Sequence, residues 1–175
     1  MQQISAMNRL ETARQTTLHD VAVETTNGLP VWLAGERLRM RVVAEVSAGV
    51  NLQQLRPQDV QVQDRRVVIT LPPPQLFDVL IREAGTQVYH RERGWLVFHP
   101  DKELEQRARQ QAWLEARNAA RESGLLKHAR QNAENVLGEL LRKLGFKQVE
   151  IRWQPPVAQA APKDTPPDKN REGQT

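Results

Sequence analysis

Between residues 37 and 50 the chain alternates without a break. Leu38, Met40, Val42, Ala44, Val46, Ala48 and Val50 hold one parity; Arg37, Arg39, Arg41, Val43, Glu45, Ser47 and Gly49 hold the other. A period of two over this length predicts a long strand with one face buried and the other, Glu45 included, facing solvent. Before it, residues 1–14 carry Ile4, Met7, Leu10 and Ala13 at spacings of three, which predicts a short amphipathic helix. Residues 16–24 are rich in strand formers, and Asn27-Gly28 followed by Pro30 marks a turn.

After it, Leu52 and Leu55 tuck a short loop inward. Val60 and Val62 open a strand that turns at Asp64-Arg65-Arg66 and returns over 67–71. Pro72-Pro73-Pro74 ends that strand, because proline cannot donate to a ladder. Phe77 to Ile81 predicts a further strand that stops at Ala84-Gly85. Gln87 to His90 and Trp95 to Phe98 then read as a hairpin closed through Arg91-Glu92-Arg93-Gly94, with Tyr89 and Trp95 as core rings.

At Pro100-Asp101 the period becomes helical. Asp101 is placed to cap a helix whose first turn holds Glu103 and Glu105. Leu104, Ala108, Ala112, Ala116 and Ala119 or Ala120 form a narrow stripe of small residues. Ser123-Gly124 breaks it. A second helix runs from Leu125 to Leu144, with Leu126, Ala129, Ala133, Val136 or Leu137, Leu140 and Leu144 on one face, Gly145 as its left-handed cap and Phe146 folding back on Leu141. The two stripes predict an antiparallel pair laid on the sheet; the alternative is an extended helix that dimerises. Val149, Ile151 and Trp153 alternate as a closing strand, and residues 154–175 turn to proline, alanine, glutamine and charge, the composition of a disordered tail. The fold class expected is therefore α+β: a mostly antiparallel sheet, a two-helix segment and a closing strand, as one domain over residues 15–153.

Composition adds mainly exclusions. There is no cysteine, so disulfides, thiolate zinc sites and cysteine nucleophiles are out. No run approaches the ~20 apolar residues of a membrane helix, and the first ten residues lack the form of a signal peptide. The net charge, 25 − 21 = +4, is spread along the chain. It makes no dense basic stripe, so nucleic acid is disfavoured as a partner.

The chemistry looked for is missing from the pattern. His19, His90, His99 and His128 form no metal-ligand spacing, and no nucleophile elbow, phosphate loop or dinucleotide fingerprint is present. No catalytic residue, cofactor or metal ligand is assigned. Glu45, Asp59, Asp64 and Asp78 lie in the sheet region, where a carboxylate pair could serve a hydrolase; solvated or ion-paired roles are the plainer reading. Arg37, Arg39 and Arg41 line one face of one strand, about 7 Å apart at each step. Such a ribbon can meet phosphate, anionic lipid or an acidic partner, or serve simply as a solvated outer face that guards an edge.

Four segments carry a resemblance: AMNRLETA at 6–13, EVSAGVNLQQLRPQDVQVQDRRVVITLPPPQLFD at 45–78, QVYHRERG at 87–94 and ESGLLKHARQNAENVLGELLRKLGF at 122–146. Over about residues 2–153 the chain resembles a bacterial family, domain of unknown function (DUF) 4230. It departs from the family's pattern at Asn51, where aspartate is expected. The family has no assigned activity, so the resemblance carries over no catalytic residue. It implies a single-pass membrane protein with an upstream membrane helix. The segment 1–14 would then be membrane-proximal and the domain would sit on the extracytoplasmic side of a bacterial cell membrane. The function expected is a non-enzymatic, membrane-tethered interaction or scaffolding module with a protein partner or self-association. An anion-binding module and, further off, an envelope hydrolase are the rivals.

Overall fold

A computed structural model describes residues 9–155 except Asn27, Pro100 and Lys102. The first part of the expected N-terminal helix and nearly all of the expected disordered tail lie outside the described residues.

The alternating segment becomes β2 (Glu36–Val50), the central strand of an antiparallel sheet, between β1 (Leu10–Thr25) and β5 (Gln75–Arg93). A one-turn helix α1 (Val31–Ala34) joins β1 to β2. Every apolar residue of the even parity of β2 is buried. Two 3-10 turns at 52–54 and 57–59 lead to a second, smaller sheet of β3 (Val60–Gln63), β4 (Arg66–Leu71) and β6 (Gln148–Trp153). In it β3 pairs antiparallel with β4, and β6 pairs with β4 in parallel. The α+β class stands, but the closing strand returns to a sheet of its own.

Residues 10–14 are strand, not helix, and the reason is a bulge. Leu10 pairs with Val50 and Glu11 with Gly49, and then the register skips Thr12 so that Ala13 faces Ala48. One extra residue in a strand turns a spacing of two into a spacing of three. Leu10 and Ala13 therefore point to the same buried side, imitating a helical repeat. The bulge is held from outside: Thr12 Oγ1 donates to the carbonyl of Ala129 (2.7 Å), and Asn132 Nδ2 donates to the carbonyl of Thr12 (2.8 Å).

The stretch 75–98 also differs from expectation. Ala84-Gly85 does not end a strand. β5 continues to Arg93, and residues 83–86 loop out between Arg82, which faces Val43, and Gln87, which faces Arg41. Thr86 Oγ1 closes the excursion by accepting the amide of Val43 (3.0 Å). Trp95 to Phe98 form no strand. They turn back to dock on α1 through backbone hydrogen bonds, with Trp95, Leu96 and Phe98 left exposed.

Helices α2 (Glu103–Glu122) and α3 (Leu125–Lys143) are not an antiparallel pair. They follow one another along β2. Leu104, Ala108 and Ala112 cover Leu38, Met40 and Val42. Ala116 and Ala120, joined by Leu125 and Ala129 of α3, cover Ala44, Val46 and Ala48. Ala133, Leu137 and Leu141 cover Val50, Leu52 and the buried residues Val67, Ile69 and Leu71 of β4. The lengths agree: 15 residues of β2 span about 50 Å, and 20 plus 19 helical residues span about 58 Å. Both stripes are spent on sheet, which leaves neither for the other helix. On α3 residues 125, 129, 133, 137, 138 and 141 are buried, so of the pair Val136 or Leu137 it is Leu137 that faces inward, while Leu140 and Leu144, expected on the inner face, are exposed. Gly145 (φ 98) ends α3 as expected, with the amide of Phe146 donating to the carbonyl of Leu141 (3.2 Å) in a Schellman closure.

Candidate functional site

The outer face of the large sheet holds the arginine ribbon. Arg37, Arg39 and Arg41 share that face of β2, as the alternation requires. Two of them are engaged by carboxylates from neighbouring strands. Arg37 donates to Glu24 (2.9 Å) and lies 3.8 Å from Glu92; Arg41 donates twice to Asp20 (2.9 and 3.2 Å) and stacks over Tyr89. Arg39 sits between Ala22 and His90 and is in ion-pair range of no carboxylate among the described residues.

The hydrogen bonds from Arg41 hold the Asp20 carboxyl below the usual carboxylate range, against a smaller opposing effect of desolvation. Its folded-state value is depressed, so its contribution is present at neutral pH and is lost as pH falls through that value. A carboxyl-detected NMR titration is expected to place Asp20 below the ordinary aspartate midpoint, and Arg41→Gln to return it there. An unchanged midpoint in the variant would remove Arg41 as the cause.

The outer face is not solvated throughout: Glu45, Ser47 and Gly49 are buried on it, and Glu45 is the charged one. It is 8 % exposed, because Arg14 and Arg82 close over it from either side. Arg14 Nη1 lies 2.9 Å from Oε1, while Nε of Arg82 (2.8 Å) and its Nη2 both donate to Oε2. The carboxylate is ion-paired, as one reading of the pattern allowed, but it is buried. The other candidate carboxylates lie apart from one another: Asp59 accepts the Arg56 amide, Asp78 faces Arg9 of the distant N-terminal segment at 3.3 Å, and Asp64 sits in the β3–β4 turn. Asn51, the departure from the family pattern, accepts the amide of Gln53 and caps the first 3-10 turn.

The histidines are dispersed. His19 meets Thr17 and Glu115, His90 meets Glu92, His99 lines a groove at the end of the sheet and His128 lies on α3. Among the described residues no three His, Asp or Glu side chains gather as a metal site, and no helix is long and apolar enough to cross a membrane.

The feature that stands out is the end of the sheet where β1 gives way to β2 and β5 gives way to α2. Here α1 and residues 94–97 are knitted together. Gly94 donates to the carbonyl of Gly35 (2.8 Å), Trp95 to that of Trp32 (3.3 Å) and Leu96 to that of Leu33 (3.0 Å). The platform places Trp32 at 68 %, Trp95 at 73 % and Phe98 at 81 % exposure, with Leu29 and Leu96 also exposed. Trp95 and Tyr89 are therefore not core rings. An open groove of about 500 Å³ beside Trp32 is bounded by Val31, Arg37, Glu92 and Arg93. Large apolar side chains exposed together mark an interaction site more often than scattered ones do.

An ion cluster around the buried Glu36 fixes this end to the helices. Glu36 is 1 % exposed, and its two oxygens accept Arg91 Nε (2.6 Å) and the amide of Asp101 (2.8 Å). Arg91 also reaches Glu105 (3.3 Å) and the carbonyl of Asp101 (3.0 Å). Asp101 Oδ1 in turn accepts the amide of Glu103, the bond expected of a cap. Strand start, strand end and helix start meet in one cluster, so the tip is built on a rigid base. Reading the sequence missed Trp32 and Phe98: one follows a turn proline and the other closes an apparent strand, and neither position signals exposure.

A family model described as a protein of unknown function (DUF4230) matches residues 2–151. No curated protein and no solved structure matches the chain.

Proposed function

The chain belongs to the DUF4230 family, whose description carries no function, and from that premise we propose that this domain is a non-catalytic interaction module that works through its aromatic tip. The single observation that carries the reading is the set of Trp32, Trp95 and Phe98 on two loops knitted by backbone hydrogen bonds. Exposing rings costs solvation free energy, about 25 cal/mol for each Å² of apolar surface left in water. A fold that holds them outward on two hydrogen-bonded loops has a use for them.

The placement of the chain ends supports the same reading. Leu10 packs with Val50 and Leu71, and Trp153 pairs with Leu71, so the entry to β1 and the exit from β6 lie at the opposite end of β2 from the tip. The separation is about 50 Å, the length of that strand. A tether at the chain ends would leave the tip free to meet a partner. The arginine face is the weaker candidate surface, since Arg37 and Arg41 already hold carboxylates.

Photo-crosslinking residues placed singly at 32 and 95, with exposed Gln110 on α2 as the control, test this in the cells that make the protein. Adducts from the tip positions and none from position 110 are expected. No tip adduct, or equal adducts from all three, would refute the reading.

A further inference from the structure

We propose that what the tip meets is the interfacial layer of a phospholipid bilayer, an inference that rests on the interaction-module reading above and names its partner class. Four observations point to lipid.

The first is shape. The rings stand 68–81 % exposed. Side chains that protrude to this degree can insert into a soft medium with no preformed pocket to receive them.

The second is backbone accounting. A loop entering a low-dielectric layer is helped by each amide that is already bonded within it. The amides of residues 33–35 and 94–97 all donate within the two loops: Leu33 and Ala34 to Pro30, Gly35 to Val31, Gly94 to Gly35, Trp95 to Trp32, Leu96 to Leu33 and Val97 to Gly94. The tip can enter the layer with these amides already satisfied.

The third is the residue types. Two indoles, a phenyl and two leucines are the set that membrane–water interfaces favour, with each indole N–H left to reach the headgroup level. Arg93 borders the groove beside Trp32 and is in ion-pair range of no carboxylate among the described residues. It is placed to meet the phosphate of a lipid whose chains receive the ring.

The fourth is area. Rings of about 150–250 Å² each, exposed as above, offer on the order of 500 Å² with the leucines. That falls short of the ~800 Å² per partner of a standard protein interface. A bilayer, which closes around whatever enters it, has no such threshold.

The test uses the full chain with two kinds of vesicle, pure phosphatidylcholine and phosphatidylcholine with phosphatidylglycerol. Wild-type protein is expected to sediment with both, with little loss as salt is raised. The W32S/W95S/F98S variant, whose changes lie on the surface, is expected to keep its melting temperature and bind at least tenfold more weakly. Bromine-labelled acyl chains are expected to quench wild-type tryptophan fluorescence. W32F/W95F, which keeps apolar rings but leaves only Trp113 and Trp153 as indoles, is expected to bind while losing the quenching. Binding to anionic vesicles alone, abolished by salt, would overturn the proposal in favour of simple charge attraction. Absence of binding to either vesicle, or undiminished binding by the triple variant, would also overturn it. If vesicles fail but positions 32 and 95 crosslink to a protein, the lipid assignment falls and the interaction module stands; if both fail, both fall.

Discussion

Arg91→Met is expected to cost about 3–5 kcal/mol of folding stability, the range for removing one partner of a buried ion pair. Glu36 has almost no contact with water, and Arg91 is its ion-pair partner among the described residues (2.6 Å). Methionine fills much of the same space and packs against the same neighbours, so the loss is electrostatic. The Glu36 carboxylate would keep a single hydrogen bond, from the amide of Asp101. Small domains hold a total of about 5–15 kcal/mol, so the variant should unfold at clearly lower urea with an unchanged slope. The double variant Glu36→Met, Arg91→Met removes the stranded charge and is expected to regain part of the loss. A single variant within 1 kcal/mol of wild type would mean that water reaches Glu36.

Gly49→Ala is expected to cost about 3 kcal/mol, the upper part of the usual range for overpacking. A Cβ at that position would lie 2.0 Å from the carbonyl oxygen of Leu10 and 2.8 Å from Cα of Glu11. Both are backbone atoms of the strand paired with it, so no side chain can swing aside. Relief requires β1 and β2 to part beside the Thr12 bulge, loosening the contacts of Thr12 with Ala129 and Asn132. Gly138→Ala is the control: its Cβ would meet nothing nearer than 3.5 Å, and alanine is the better helix former by up to about 1 kcal/mol. Thermal melts of both decide the matter. Equal midpoints for Gly49→Ala and wild type would show that the strands can separate there at little cost.

The elements legible from the chain are those whose buried face is complete and local. The alternation through Val50 marks β2 because all its inward residues meet helix, and the alanine stripe marks α2 because each of its residues meets β2. What misled is equally physical. The Leu10–Ala13 spacing read as helix because a bulge shifts parity by one residue. The Trp95–Phe98 segment read as strand because its rings and aliphatic residues are strand formers, yet its backbone bonds go to α1 and its rings to solvent. The second sheet was hidden because Arg66 pairs with Gln148, a partner far along the chain that no window reaches. The buried state of Glu45 depends on arginines from two other strands. The tip shared this fate: exposure of Trp32 and Trp95 is decided by how two distant loops meet, and aromatic residues are by default assigned inward. The arginine ribbon was legible as a face, but its carboxylate partners come from β1 and β5.

The parallel pairing of β6 with β4 sets an order on synthesis. When β4 leaves the ribosome it finds β3 at once through the short turn at Asp64-Arg65, but its other edge stays open until Gln148–Trp153 is made. Val67, Ile69 and Leu71 are buried in the finished fold largely by α3, which is also still to come. Over that interval the nascent chain carries a bare β-edge with apolar side chains, the kind of surface that pairs with other chains. The closing strand is the last piece that covers the open edge of β4. Chains interrupted before residue 148 would be the aggregating species, and a holdase that shields extended apolar segments would raise the yield of complete protein by acting in that window.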